Sequence, residues 1–146
     1  MVSSGDSRYF SGTTEDGKTP SANLVSVEVQ ALAALILEDD CGFDNMERCR
    51  AKDGGYAYDN ANLSGSWLEG TAMAALAYER MGEEEKADLI LEAIEGFQLP
   101  SGAIPQASLS GLSTGEKDRV LNDWPCVGAT AWFVLAANGT DPFAIG

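Results

Sequence analysis

The same local grammar is written twice in this chain, and that self-similarity constrains its fold more than any other feature. Residues 54–58 (Gly-Gly-Tyr-Ala-Tyr) lead through a polar loop to Trp67, Gly70, the pair Thr71 and Ala72, and an Ala-rich run. Residues 102–105 (Gly-Ala-Ile-Pro) lead through a longer loop to Trp124, Gly128, the pair Thr130 and Ala131, and a second apolar run. A unit repeated at this spacing cannot bury its apolar face alone, so neighbouring units stack and their inner helices share one core.

Helical periodicity supplies the elements. Residues 25–38 are Ala/Leu-rich and predict a helix buried on most sides. A short outer helix is predicted over 43–52, with Phe43 and Met46 on one face, before Asp53, Gly54 and Gly55 break the chain. Ser66, followed three residues later by Glu69, matches a capping box and opens a buried helix that runs through Met81 and stops at Gly82. Glu83, Glu84 and Glu85 suit the positive end of the next helix, in which Ala87, Ile90, Leu91, Ile94 and Phe97 recur at amphipathic spacing. After a loop over 99–122, Asp123 is the expected N-cap and Pro125 fits the first turn of a buried helix over 127–137, ended by Asn138 and Gly139. The fold class expected is all-α, with about five helices in stacked hairpins over 25–146, behind an N-terminal arm or loop over 1–24.

Composition excludes much chemistry. A chain of 146 residues buries enough surface to hold a core without disulfides or metal. Nine Lys and Arg against 23 Asp and Glu give a net charge of -14, which repels nucleic acid and anionic membranes. The absence of histidine removes Ser-His-Asp and Cys-His catalysis and His-ligated metal sites within the chain. Cys41, Cys49 and Cys126 have no CxxC spacing and read as reduced thiols, Cys126 as a small buried hydrophobe. The acidic clusters lack the alternating ligands of a calcium loop, and there is no P-loop or GxGxxG, so no metal and no cofactor is expected. The longest apolar run, 31–37, is far below the roughly 20 residues that span a bilayer. The first six residues carry no positive or apolar signal region, so a cytoplasmic chain is expected, or an extracellular one if it belongs to a longer protein.

The chain resembles part of an (α/α) toroid, the six-hairpin architecture of many glycosidases, polysaccharide lyases and related bacterial proteins. The resemblance is carried by residues 10–17 (Phe-Ser-Gly-Thr-Thr-Glu-Asp-Gly), 27–30 (Val-Glu-Val-Gln), 67–72 (Trp-Leu-Glu-Gly-Thr-Ala) with 75–78, and 128–132 (Gly-Ala-Thr-Ala-Trp) with 141–143. It implies parallel inner helices and a binding cleft over one end of the ring. A complete ring needs well over twice this length. The chain is therefore expected either to close a partial ring with its own arm or to complete it as a homo-oligomer, because a large exposed apolar flank marks an interface.

Two carboxylates carry the candidate chemistry. Glu69, in the first turn of a buried helix beside Trp67, reads either as a general acid with a raised pKa or as the reciprocal member of a capping box. Asp123, beside Trp124, takes the equivalent place in the second unit, with the same choice between catalysis and capping. Neighbouring helices pack about 8–10 Å apart, which suits the roughly 5–9.5 Å that separates the two carboxyl groups of a glycosidase. Trp67, Trp124, Tyr56 and Tyr58 offer flat faces for a sugar ring, while Trp132, inside an apolar run, reads as core. The expected function is a carbohydrate-binding or carbohydrate-processing domain; the alternative is a non-catalytic module that self-associates or completes a larger helical assembly.

Overall fold

The structure, a computed structural model, describes residues 8–21 and 24–144, and the first six residues, read above for a targeting signal, lie outside them. The elements follow in the order α1 (Val27–Leu37), α2 (Phe43–Glu47), α3 (Leu68–Arg80), α4 (Glu84–Glu95), β1 (Leu112–Ser113), β2 (Val120–Leu121) and α5 (Val127–Ala137). The chain is thus mostly helical, with five helices among the described residues. The all-α reading is corrected by the antiparallel pair β1–β2, in which Leu112 lies opposite Leu121. Both leucines are buried, and the short ladder satisfies the backbone they carry inward. Among the described residues no helix is long and apolar enough to cross a membrane.

Helix α3 is the centre of the core. It packs against α1 on one flank, α5 on the other and α4 outside, while α2 covers α1. All its residues from Leu68 to Tyr78 are buried except Glu69. The starts of these helices lie together: a Cβ on Gly70 of α3 would come within 2.8 Å of Val27 in α1, and one on Gly128 of α5 within 2.8 Å of Glu69. At the other end Gly139 adjoins Glu79, and Arg80 pairs with Asp141 at 3.4 Å. Helices α3 and α5 therefore run side by side in one direction. Helix α3 stops at Gly82, whose φ of +85° is open to glycine at little cost.

A single lock repeats three times. Before each inner helix an extended residue is pinned through both its amide and its carbonyl by the side chain in the second turn of that helix. Tyr56 N donates to Thr71 Oγ1 at 3.0 Å, and that hydroxyl faces Tyr56 O at 3.2 Å. Ile104 N donates to Thr130 Oγ1 at 2.9 Å in the same manner. The third copy uses an amide: Gln30 Oε1 accepts from Tyr9 N at 3.0 Å, and Gln30 Nε2 donates to Tyr9 O at 2.8 Å. Tyr9, in the arm, thus belongs to the first of three repeats. The Tyr56 and Tyr9 locks join buried polar groups that would otherwise cost about 1–3 kcal/mol apiece, while the Ile104 lock is part-buried.

Several local expectations are corrected. Helix α2 ends at Glu47 rather than at residue 52, because the chain turns back: Ala57 N donates to Cys49 O at 2.8 Å and Ala51 N to Gly55 O at 2.9 Å. The N-cap of α3 is Trp67, not Ser66, and no side chain caps it. The Ser66 hydroxyl is engaged by Asp53 instead, so the predicted capping box with Glu69 does not form. The N-cap of α5 is Cys126; Asp123 lies upstream and accepts a hydrogen bond from Ser110 Oγ, and Pro125 precedes the helix. Cys126 itself is half-buried, and all three cysteines are free. Helix α5 was expected to be buried, yet of its residues only Ala129 and Ala136 are.

Candidate functional site

Counting from the N-caps Ser26, Trp67 and Cys126, the second helical residues of α1, α3 and α5 are Glu28, Glu69 and Gly128. The Glu69 carboxylate fills the space that a Cβ at Gly128 would take, with both oxygens 2.8 Å from that point. Glycine at this place in α5 therefore makes room for the carboxylate of α3. This register corrects the equivalence drawn from sequence. Aligning Thr71 with Thr130 through their locks matches Trp67 with Cys126 and Glu69 with Gly128, so Asp123 is not the counterpart of Glu69.

Glu69 sits in an unfavourable place for a charge. Partial burial raises its pKa above the ordinary carboxyl value, the neighbouring Glu28 pushes in the same direction, and Arg119 opposes both. A carboxyl whose folded-state pKa is raised stabilises the fold when protonated and loses that contribution as pH rises through the folded pKa. Glu69→Gln is therefore expected to raise Tm at neutral pH, with the gain shrinking toward pH 4, as thermal unfolding at the two pH values would register. A lower Tm at neutral pH would mean that the carboxylate stabilises the fold.

Aromatic and polar groups border the same end. The rings of Tyr58 and Trp67 meet at 4.9 Å between centroids with a 56° tilt. The Arg119 guanidinium lies 4.4 Å from the centroid of the Tyr58 ring and pairs with Glu116 at 3.2 Å. Tyr58 donates its hydroxyl to Glu116 Oε1 at 2.9 Å, and burial together with that bond pushes the phenol up to about 12. Asp59, itself buried, accepts from Gly115 N at 2.7 Å and so ties the β1–β2 loop over this end. An open cleft of about 260 Å³ lies beside Tyr58, where Ser11, Ser21, Ser26, Asp59 and Glu116 present hydroxyls and carboxylates. That is just under the ~300 Å³ at which small-molecule pockets begin.

The predicted site residues separate into three groups. Tyr58, Trp67 and Glu69 gather at the shared helix starts. Trp67 is only 5% exposed, its ring lying over Gly70 and packed into the core. Tyr56 is in the core, its hydroxyl donated to Glu47. Trp124 is 67% exposed, and Asp123 beside it is exposed as well. Sequence reasoning missed Glu28, Glu116 and Arg119. Glu28 had a signal in its place just inside a helix start, matching Glu69; the two loop residues had none, because only the path of the β1–β2 loop brings them here. Among the described residues no group of three or more His, Cys, Asp or Glu could hold a metal ion. In comparisons with protein families, curated proteins and solved structures, nothing matches this chain.

Proposed function

We propose that the chain is a carbohydrate-binding or carbohydrate-processing domain, its three repeats forming an arc of an (α/α) toroid with the cleft over the starts of α1, α3 and α5. The observation that carries this reading is the meeting, at that end, of the raised carboxyl of Glu69 with the charge of Glu28 and the paired rings of Tyr58 and Trp67. A carboxyl whose pKa is raised, close to a second carboxyl, is the arrangement that glycoside hydrolysis uses. In the processing form Glu69 gives its proton to the glycosidic oxygen as the C–O bond breaks. Glu28, in place of Asp123, takes a proton from the water that adds at the anomeric carbon. Tyr58, at the cleft, and the exposed Trp124 supply ring faces for the sugar.

Tryptophan fluorescence titrated with a panel of oligosaccharides tests the reading. A saturable change is expected in the parent, weakened in Trp124→Ala and lost in Tyr58→Ala. Any release of reducing ends should disappear in Glu69→Gln while binding persists. Silence toward every sugar at millimolar concentration would end this reading.

A further inference from the structure

Each inner helix turns the same face toward its successor. On α1 that face is Val27, Ala31 and Ala34, and on α3 the equivalent residues are Leu68, Ala72 and Ala75; all six are buried. The same positions on α5 are Val127, Ala131 and Val134, and these are exposed, Val127 to 88% and Val134 to 52%. With Ala103, Pro125 and Leu135 they line an apolar hollow of about 630 Å³.

The backbone is equally unfinished there. The first helical amide of α1, Val27 N, donates to Tyr58 O at 3.3 Å, and that of α3, Leu68 N, to Gln106 O at 3.0 Å. Just upstream, Val25 O accepts from Asn60 N at 3.2 Å and Ser66 O from Ser108 N at 3.0 Å. In each case the partners lie two and four residues past the pinned residue of the next repeat, Tyr56 or Ile104. On α5 the corresponding groups are Val127 N and Pro125 O, and among the described residues no such segment meets them.

The opposite edge of the chain carries the matching surface. The face that receives a predecessor is Gly70, Ala74 and Ala77 on α3, all buried, and it includes the buried Ala129 and Ala136 on α5. On α1 the same positions are Val29, Ala33 and Ile36, and Ile36 is 56% exposed. Two and four residues past the pinned Tyr9 lie Ser11 and Thr13, both exposed. Helix α5 has no charged residue and α1 has only Glu28, whereas each chain carries -14, so two copies meet least repulsion along these flanks.

We infer that a second copy of this chain seats its first repeat, α1 with residues 9–13, on α5, in the way that α5 seats on α3. The contact is reciprocal, so that two copies close into a twofold ring. One such contact alone leaves an edge of each kind open and propagates into a polymer, whereas twofold closure satisfies both edges of both copies.

Sedimentation equilibrium of the full chain tests this, with a mass twice 15.4 kDa expected. Ala131→Glu on α5 and Ile36→Glu on α1 each put a charge on an exposed site that a monomer tolerates. Each is expected to halve the mass with the helical circular dichroism unchanged. An equimolar mixture of the two variants is expected to regain a two-copy species, because one partner supplies an intact α5 and the other an intact α1. A monomeric parent overturns the proposal, as does a mixture that stays monomeric. A dimer that survives Ile36→Glu but not Ala131→Glu assigns α5 to pairing with itself and also overturns it, and a parent larger than two copies overturns the twofold closure.

Discussion

Asp53→Ala is expected to cost roughly 1–3 kcal/mol, the range for leaving a buried donor without its acceptor. The Asp53 carboxylate accepts from Ser66 N at 3.0 Å, from the Ser66 hydroxyl and from the Ser108 hydroxyl. Ser66 is fully buried at the step between the second repeat's extended segment and α3, so its donors have no ready exchange with water. One carboxylate thereby joins residues 53, 66 and 108 of three separate segments. Asp53→Asn keeps an acceptor oxygen and is expected to lose less than half as much. Urea unfolding followed by circular dichroism measures both, and a loss below about 1 kcal/mol for Asp53→Ala would show that water replaces the carboxylate.

Alkali is expected to unfold the protein between pH 10 and about 12. Burial, and then hydrogen bonding to a carboxylate, raises the phenols of Tyr9, Tyr56, Tyr58 and Tyr78, with Tyr9 pushed up from 10.0 to about 12. The carboxylates are Asp39 for Tyr9, Glu116 for Tyr58 and Glu47 for both Tyr56 and Tyr78. A phenol raised in the folded state contributes its full stability below the unfolded value of 10.0 and loses it as pH climbs through the folded one. The acid side has the opposite sign. Burial alone would raise Glu47, but the bonds from Tyr56, Tyr78 and Lys86 outweigh it and hold the carboxyl below its ordinary 4.5. Its contribution is present above pH 4.5 and fades as pH falls below it. The alkaline prediction is checked by following phenolate absorbance and helical circular dichroism together. Tyrosines that ionise near pH 10 with the helices intact would falsify it.

The parts of the fold that were legible are those written in side chains that serve only one purpose. Thr71 and Thr130 marked two repeats, because a β-branched hydroxyl near the start of an apolar helix is conspicuous in sequence. The first repeat went unread because Gln30 does the same work with a different functional group, and its partner Tyr9 lies in a stretch that composition marks as a loop. Asp123 was matched to Glu69 because a tryptophan precedes each helix. The spacing from tryptophan to threonine is four residues in one repeat and six in the other, and the backbone lock, not the tryptophan, keeps the register. The exposure of α5 was illegible within its own residues. Its composition is that of a buried helix, and among the described residues no further repeat packs against its outer side, so Val127 stays exposed.

The pinning of an extended residue by the following helix also decides where this chain can change length. The locks span 21, 15 and 26 residues in the three repeats, yet their bonds are alike. The segment between pin and helix is thus a loop clamped at both ends, and lengthening it alters neither clamp. Doubling such a loop costs only about 0.6 kcal/mol in closure entropy. Residues 110–121, which already form the largest excursion and arch over the helix starts with Glu116 and Arg119, are therefore where insertions can reshape the mouth of the cleft while the helical frame beneath stays as it is.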